Sequence, residues 1–467
     1  MKMKTTKVAL INSPMQERTF HHPLLLPLSL AYLAAVLKKE GHEVKVIDCP
    51  ACSIDHEKLK GELSAFNPAL VGITSTTPNI VSALKSADAS KMACPDAKVI
   101  IGGPHVTFRD KETLTENPSV DVVVRGEGEL TLLELAQKAP YTEDLTDVSG
   151  ITIRHNGETL RTAPRPFIQN LDELPRPAYE FFNLEKYKLY GKQFMPILTS
   201  RGCPFQCAFC VTTQLFGAPW RHRSAKNVVD ELEWLKNEHG AVGISFYDDT
   251  LTLDKQRLFS ICDEMANRKL ELPWGCQTRV DQVNTEILTQ MKRACCNEVS
   301  FGVESGCQKT LDSVHKKTSV EQNIKAVKLA KDEGLFVAVS ALVAYPGETL
   351  DDVKQTVDLL KKMQPDDAYI CIACPYPGTE LRSKVEGLGW KISNDWSLYD
   401  TMNPVIDNPL VPAEEIAKLR KKFYDELYSP GYVVRQAIKG QIKGNFYSKL
   451  MMRLAIGHLL WRIKGHS

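Results

Sequence analysis

The sequence predicts an α/β protein in two parts. A Rossmann-like (flavodoxin-like), doubly wound parallel sheet comes first, followed by a partial (β/α)6 barrel of the TIM type and a helical C-terminal extension. The chain has 467 residues, too many for one ordinary core. Two separate series of β-branched-rich runs alternate with helical stretches, and the alternation stops near residue 390. We therefore expect domains at residues 1–140 and 195–390, joined by a hairpin and linker at 141–194 and followed by the extension at 391–467.

The first series supplies five predicted strands, at residues 7–11, 43–47, 70–74, 98–101 and 120–124. Strands of this kind separated by helices favour a parallel sheet, in which ligands bind at the carboxyl ends of the strands. Two of the segments at those ends are rich in glycine, which permits close approach of a backbone to a ligand. The alternative is that the glycines only form tight turns. The candidate binding residues are Ser75, Thr76, Gly102, Gly103, Gly126 and Gly128.

The second series supplies six predicted strands, at residues 196–199, 243–247, 274–277, 299–303, 336–343 and 368–372. Six βα units suit a partial barrel, because a full barrel of eight needs more chain. Barrel active sites form at the carboxyl ends of the strands, so polar residues that follow these strands are candidates for the site. Between the two series, residues 151–154 and 159–162 are predicted to form a hairpin that turns at Asn156 and Gly157.

Three of the 13 cysteines are grouped directly after the first barrel strand. Cys203, Cys207 and Cys210 have the spacing C-x3-C-x2-C, with Phe209 just before the last of them. Thiolates are the usual ligands of iron–sulfur clusters, and three on one loop can bind three irons of a [4Fe–4S] cluster and leave the fourth open. A zinc site is the alternative, but structural zinc needs four ligands, and the nearest histidine, His222, lies twelve residues beyond the last cysteine.

With this motif the chain resembles the radical S-adenosylmethionine superfamily. More narrowly, it resembles the branch with an N-terminal cobalamin-binding-type domain, which includes the anaerobic magnesium-protoporphyrin IX monomethyl ester cyclase. The resemblance covers residues 6–390 and includes the sequences at 102–105, 125–129, 246–250, 302–306, 345–349 and 375–379. It implies a [4Fe–4S] cluster that reductively cleaves S-adenosylmethionine to a 5′-deoxyadenosyl radical, and a reducing partner such as ferredoxin or flavodoxin.

The resemblance also implies contacts with S-adenosylmethionine for residues of the cysteine motif and of the loops after three barrel strands. The aromatic ring should lie near the adenine, and the residues after the second strand near the amino group. The arginine after the third strand could meet the carboxylate, and the residues after the fourth strand should reach the ribose hydroxyls. The alternatives are helix capping for the two aspartates and a buried ion pair for the glutamate. These residues are Phe209, Asp248, Asp249, Thr250, Arg279, Glu304 and Ser305.

Cobalamin is a possible third cofactor. The histidine motif D-x-H-x-x-G, which ligates cobalt in cobalamin-dependent mutases, is absent from the sequence. His21 and His22 lie in the loop after the first strand without that spacing, and His105 can equally be a surface histidine. The absence removes one binding mode and leaves others open, in which the glycine-rich loops would hold the corrin and its nucleotide tail.

These features predict an enzyme in which the 5′-deoxyadenosyl radical abstracts hydrogen from an unactivated carbon of a small molecule or lipid, to which cobalamin delivers a methyl group. One alternative ends in ring closure or carbon–carbon bond formation on a lipid or tetrapyrrole, without methyl transfer. An alternative from another class is a cobalamin- or redox-sensing module without turnover. The formal net charge of +1 gives no global attraction to nucleic acid.

The C-terminal tail is basic and amphipathic. Residues 433–467 hold seven Lys or Arg and no acid, with apolar residues, Trp461 among them, at near-helical spacing. Such a helix can lie on an anionic membrane surface, and the alternative is a helix packed on the barrel. Because no export signal or membrane-spanning segment is visible, we expect a cytoplasmic protein, with membrane-surface contact through this tail as an option. Cys276, Cys371 and Cys374 follow no known cluster spacing and are interpreted as buried thiols.

Overall fold

The computed structural model describes residues 5–15, 24–188 and 191–442, together with Met452 and Ile456. The first domain is built on a seven-stranded sheet in the order β2-β1-β3-β4-β5-β6-β7. Its strands are β1 (Lys7–Asn12), β2 (Glu43–Asp48), β3 (Leu70–Thr74), β4 (Lys98–Gly102), β5 (Val122–Val124), β6 (Ile151–His155) and β7 (Glu158–Arg161). Its helices are α1 (Leu28–Lys39), α2 (Cys49–Cys52), α3 (His56–Phe66), α4 (Ile80–Ala93), α5 (Pro104–Phe108), α6 (Asp110–Glu116) and α7 (Glu129–Lys138).

The first five strands are parallel and follow the flavodoxin order, which confirms the predicted fold. Successive side chains of a strand point to opposite faces, so β1 contributes to two apolar layers. Val8 and Leu10 join the core that includes α1 and α7, whereas Ala9 and Ile11 join the core under α3 and α4. All four side chains are fully buried, as a sheet covered by helices on both faces requires.

The predicted hairpin is present and continues the first sheet. Strand β6 pairs antiparallel with β5, and β7 pairs with β6. The turn residues Asn156 and Gly157 both have positive φ, 51° and 82°, which is the backbone that a two-residue hairpin turn needs. The sheet therefore extends past residue 140 to Arg161.

The second domain is an open barrel whose six long strands are all parallel, in the order β15-β14-β13-β12-β11-β8. Strands β8 and β15 form its two edges, so the predicted partial barrel is confirmed. The strands, with a short antiparallel ribbon of β9 and β10, are β8 (Phe194–Ile197), β9 (Ser200–Arg201), β10 (Arg221–His222), β11 (Gly243–Phe246), β12 (Trp274–Thr278), β13 (Cys296–Glu304), β14 (Phe336–Val343) and β15 (Asp367–Ile372). The helices are α8 (Thr212–Phe216), α9 (Ala225–His239), α10 (Lys255–Asn267), α11 (Thr285–Arg293), α12 (Gln308–Ser313), α13 (Val320–Asp332), α14 (Leu350–Met363) and α15 (Glu380–Gly387).

The described part of the C-terminal extension ends in two helices, α16 (Ala413–Leu427) and α17 (Pro430–Ile442), which cover the exposed edge of β15. The hydroxyl of Tyr424 accepts a hydrogen bond from the backbone N–H of Ile370 at 3.0 Å, and the hydroxyl of Tyr428 donates to Asp367 at 2.7 Å. A helix that covers an edge strand and bonds to its backbone makes that edge less available for pairing with another chain. Apart from Met452 and Ile456, the predicted basic tail beyond residue 442 lies outside the described residues. None of the described helices is long and apolar enough to cross a membrane.

Candidate active site

The three cysteines lie on a loop of residues 202–220, the cluster loop, whose base is closed by the β9–β10 ribbon. In that ribbon Arg201 stands opposite Arg221. Gly202 has φ +86°, and a Cβ there would collide with the carbonyl oxygen of Pro219 and lie 3.0 Å from that of Gly217. Only glycine fits such a position without strain. The hydroxyl of Thr213 is within hydrogen-bonding distance of two carbonyl oxygens of the loop, at 3.2 and 2.9 Å. Hydrogen bonds within the loop therefore constrain its conformation.

The thiols are partly buried and close enough to affect one another's ionisation. Burial, with smaller contributions from the neighbouring Asp249, Cys210 and Cys207, raises the pKa of Cys203 to about 11. Burial also raises the pKa of Cys207. Because metal binds the thiolate, loading this site has to displace protons.

The cluster loop supplies three thiols, the donor set that a [4Fe–4S] cluster with one open iron would use. Among residues 5–15, 24–188, 191–442, 452 and 456, no group of three or more His, Cys, Asp or Glu side chains could hold one metal ion. In a [4Fe–4S] cluster each thiolate binds a different iron, so the three sulfurs need not meet at one point. A zinc ion needs its ligands to converge. The donor set on this loop therefore suits the cluster that the spacing predicts.

Arg279 contacts the cluster loop directly. Its guanidinium lies 3.7 Å from the centroid of the Phe205 ring, and its Nη1 is 3.9 Å from Sγ of Cys207. The other two nitrogens are engaged, since Nε and Nη2 each donate to Asp281 at 2.9 Å and Nη2 also donates to the carbonyl of Lys316 at 2.6 Å. The predicted contact with a cosubstrate carboxylate stays a prediction. The observed contacts place a fixed positive charge beside one cluster thiol.

The three polar residues after β11 have different environments. Asp248 is buried, and its carboxylate accepts hydrogen bonds from the backbone N–H groups of Thr199 at 2.6 Å and Ser200 at 3.2 Å, and from the hydroxyl of Thr199. It thus holds the segment that leads into β9. Asp249 is an exposed residue and accepts from Thr212 at 3.2 Å. Protein atoms packed around its carboxyl desolvate the group and, with a smaller contribution from Asp248, raise its pKa to about 6. Thr250 is buried, and its hydroxyl donates to the carbonyl of Asp249.

The two residues at the end of β13 are engaged with protein groups. Glu304 has φ +56° and pairs with Nζ of Lys316 at 2.7 Å, the buried ion pair that the sequence left open as an alternative. A Cβ at Gly302 would lie 2.5 Å from a carboxylate oxygen of Glu304, so this glycine makes room for the pair. Ser305 is fully buried, and its hydroxyl lies 3.0 Å from that of Thr356. Their predicted ribose contacts remain predictions.

In the first domain, the loops after β3 and β4 are in close backbone contact. Ser75 donates to the carbonyl of Gly102 through both its N–H, at 2.8 Å, and its hydroxyl, at 3.0 Å. Gly103 has φ +115°, and a Cβ there would collide with the carbonyl of Ser75. Gly103 is therefore needed for the loop packing itself, whether or not a ligand is bound, whereas a Cβ at Gly102 would make only ordinary contacts with Val124.

The remaining candidates of this domain differ in how much space surrounds them. Thr76 is exposed, and its N–H donates to Asn79. Gly126 has φ +73° and open space around its Cα, whereas a Cβ at Gly128 would lie 3.3 Å from Leu33 of α1. Thr76 and Gly126 are thus accessible to a ligand. The Cα of Gly128 packs against α1 on the side where a side chain would point.

His105 is buried between the first domain and the C-terminal extension, so its reading as a surface histidine is wrong. Its ring packs edge-on against Trp396 with centroids 4.9 Å apart, and its Nδ1 lies 3.2 Å from the hydroxyl of Thr77. Burial, with smaller contributions from the charges of Arg109 and Arg382, lowers the pKa of His105 to about 4. The imidazole is therefore neutral and enclosed by protein. His21 and His22 lie outside the described residues.

The carboxyl ends of the two sheets face each other. Phe108, in the helix after β4, packs so closely on Gly378, in the loop after β15, that a Cβ there would overlap the ring. His105 meets Trp396, and Glu129, at the start of α7 after β5, pairs with Arg201 before the cluster loop. Loops that hold ligands in parallel sheets and barrels are therefore in contact across the domain boundary.

Sequence reasoning missed a set of charged residues at this boundary. Glu127 and Glu129 of the first domain form ion pairs with Arg201 and Arg221 of the cluster-loop ribbon. Three of the four lie in the motifs at residues 125–129 and 199–210, and Arg221 follows the last cysteine by eleven residues. The sequence interpretation concentrated on the glycines and cysteines of these segments instead. The signal was an acidic motif in one domain and two arginines flanking the cysteines in the other.

Comparisons with known proteins agree with this geometry. Residues 23–136 match the model of the B12 binding domain, and residues 197–360 match that of the radical SAM superfamily, as the sequence predicts. An uncharacterized methyltransferase of Pyrococcus horikoshii is 37% identical over 89% of this chain and 93% of its own length. The anaerobic magnesium-protoporphyrin IX monomethyl ester cyclase of Cereibacter sphaeroides is 30% identical over 94% of this chain and 69% of its own. The radical S-adenosylmethionine methyltransferase TsrM from Kitasatospora setae, solved with cobalamin and a [4Fe–4S] cluster bound, has a TM-score of 0.75 at 20% identity, covers 97% of this chain and 100% of its own, and shows the shared fold.

Proposed function

Because the chain belongs to the radical S-adenosylmethionine superfamily, in the branch that carries a B12-binding domain, we propose that it is a cobalamin-dependent methyltransferase acting on an unactivated carbon. The observation that carries the proposal is the contact between the carboxyl-end loops of the two sheets. A methyl donor held by the first domain and a radical generated in the second must reach the same carbon atom, and facing loops make this feasible.

The cofactors divide the chemistry between the two domains. When bound, the cluster with S-adenosylmethionine supplies a 5′-deoxyadenosyl radical, and cobalamin supplies the methyl group. In the proposal Cys203, Cys207 and Cys210 hold the cluster and leave one iron open. The electron comes from a reducing partner such as ferredoxin or flavodoxin, and the substrate is a small molecule or lipid.

Asp249 is the strongest candidate for binding the amino group of S-adenosylmethionine. Its carboxylate is exposed, whereas the carboxylate of Asp248 is engaged by backbone N–H groups. A carboxyl group whose pKa has been raised to about 6 gains most from an ammonium partner, which stabilises the charged form. Phe209, Thr250, Arg279, Glu304 and Ser305 complete the proposed cosubstrate site.

The proposed cobalamin site lies at the carboxyl ends of β3, β4 and β5. Thr76 and Gly126 offer open backbone to the ligand, and Ser75 and Gly103 fix the shape of the loops around it. Gly102 and Gly128 belong to the same loops. His105 is packed against Trp396, so binding through a histidine–cobalt bond is not part of the proposal.

The proposal is tested by product analysis. Protein purified and reconstituted without oxygen is given cobalamin, S-adenosylmethionine, reductant and a small-molecule or lipid extract of the source cells. Methyl transfer to an unactivated carbon predicts S-adenosylhomocysteine and 5′-deoxyadenosine in a ratio of about one, since one cosubstrate molecule would supply the methyl group through bound cobalamin and a second would supply the radical. The variant in which all three cluster cysteines are alanine should form neither product.

The similarity to the cyclase of Cereibacter sphaeroides supports a second candidate, ring closure or carbon–carbon bond formation on a lipid or tetrapyrrole. That reaction predicts 5′-deoxyadenosine without S-adenosylhomocysteine. A protein that gives neither product under strong reductant with substrate extract, yet retains corrin, fits the sensing alternative instead. The same assay therefore separates all three.

A further inference from the structure

Four buried charges join the two domains beside the cluster loop. Nη1 of Arg201 lies 3.3 Å from Oε1 of Glu127, and Nη2 of Arg201 lies 2.5 Å from Oε1 of Glu129. Nη1 of Arg221 lies 2.8 Å from the same Oε1 of Glu127. Each of the four side chains is only 5–7% exposed. We call these residues the interdomain charge cluster.

The two arginines would repel each other without the first domain. They stand directly opposite in the β9–β10 ribbon, and like charges at opposed positions destabilise strand pairing. In the described part of the chain, the acids that pair with them, Glu127 and Glu129, both come from the other domain. Glu127 bridges the two guanidinium groups and so replaces repulsion with a pair of attractions. The base of the cluster loop is thus electrostatically dependent on the B12-binding domain.

Short chain segments connect this charge cluster to both cofactor sites. Arg201 precedes Gly202 and Cys203, and the loop that begins there returns to the ribbon at Arg221. On the other side, Glu127 follows Gly126, which has open space around it at the proposed cobalamin site. Glu127 also accepts a hydrogen bond from the N–H of Ile168 at 2.8 Å, which ties the linker to the same point.

We propose that Glu127 and Glu129 are positioning residues that set the place of the cluster loop relative to the cobalamin site. The carboxylates hold the Arg201–Arg221 ribbon, the ribbon holds the ends of the loop, and the loop holds the three thiols. Cobalamin binding and cluster geometry are coupled through this route, in both directions. The inference rests on the proposed use of both cofactors, but its test needs no turnover.

The test compares Glu127→Gln, Glu129→Gln and the double variant with a matched control. Glutamine keeps the shape of the side chain and removes its charge, so two buried arginines lose their counter-ions. The control is Glu231→Gln, which removes a buried carboxylate 2.5 Å from Arg223 within the second domain alone. Both changes break a buried ion pair, but only the first set breaks one that crosses the domain boundary.

Two measurements on anaerobically loaded protein report position rather than activity. Iron per chain reports whether the cluster loop holds its cluster, and the dipolar coupling between cob(II)alamin and the reduced cluster reports the distance between the two centres. We expect the double variant to lose at least half of its iron and to show a broadened distance distribution in what remains. The control should lower the thermal midpoint and leave the distribution narrow.

The conservative variant keeps the proposal testable if the glutamine variants do not fold. Glu129→Asp retains the charge and shortens the side chain by one methylene, and we expect it to restore iron content while shifting the distance. Full iron content with an unchanged distance distribution in Glu127→Gln/Glu129→Gln overturns the inference. If cobalamin is not retained by the unaltered protein, the proposed methyl transfer fails, and the iron content of the variants still decides whether these residues position the loop.

Discussion

Replacing Gly202 by alanine tests the shape of the cluster loop in isolation from its thiols. The glycine lies at φ +86°, and a Cβ there meets the carbonyl oxygens of Pro219 and Gly217, the latter at 3.0 Å. These are backbone atoms near the base of the loop, which cannot rotate away as a flexible side chain would. The change adds one methyl group and removes no metal ligand.

The expected cost has two parts. A left-handed backbone costs an L-residue about 1–2 kcal/mol, which the lower entropy of the unfolded chain offsets by about 0.4–1 kcal/mol. Overpacking against fixed atoms adds about 1–3 kcal/mol. The overpacking cost alone would lower the population of the loop conformation that can bind metal about 5- to 150-fold.

Gly240 provides the matched control for this substitution. It ends α9 at φ +63°, and nothing lies within 4 Å of a Cβ built there. Gly240→Ala therefore carries the backbone penalty without the overlap. Iron per chain after anaerobic reconstitution should be near the unaltered level in Gly240→Ala and severely reduced in Gly202→Ala. Equal iron content and equal thermal midpoints in the two variants would refute the assignment of Gly202 to the loop's packing.

Three further outcomes are expected. Asp249→Asn should retain the cluster and weaken binding of S-adenosylmethionine about tenfold, measured by equilibrium dialysis of the unreduced protein, because it removes one ammonium partner. Gly103→Ala should reduce cobalamin retention on gel filtration without changing iron content, since the nearest atoms that a Cβ would meet belong to Ser75 in the first domain. The pKa of His105 is lowered from 6.5 to about 4, so the unfolded chain takes up a proton that the folded chain excludes. The free energy of unfolding of the metal-free protein should then fall by about 2 kcal/mol between pH 7.5 and 5. His105→Gln should reduce this dependence of stability on pH.

Local periodicity was enough to predict the two domains. Strand and helix patterns repeat along the chain, and the parallel order of both sheets follows from strands that alternate with helices. The pairing of the hairpin with the first sheet was not predicted from local patterns. Its partner β5 is distant in sequence, and no local signal specifies that pairing.

The sequence predicts which residues form the candidate site, but it does not predict most of the contacts that those residues make. The cysteine spacing predicts which loop would hold a cluster, whereas the partners of the neighbouring residues depend on tertiary packing. Asp248 and Asp249 are adjacent in sequence, yet one carboxylate is buried under backbone N–H groups and the other is exposed. The ion pair of Glu304 with Lys316 and that of Glu129 with Arg201 join residues that no sequence pattern brings together.

The proposed chemistry depends on three thiolates that bind a four-iron cluster and leave one iron open to S-adenosylmethionine. Electron paramagnetic resonance of the reduced, anaerobically prepared protein tests it most directly, before and after the cosubstrate is added. We expect about four irons per chain and a cluster signal that shifts on addition, because the cosubstrate would coordinate the open iron. A signal that S-adenosylmethionine leaves unchanged, or iron that persists when Cys203, Cys207 and Cys210 are all alanine, would contradict it.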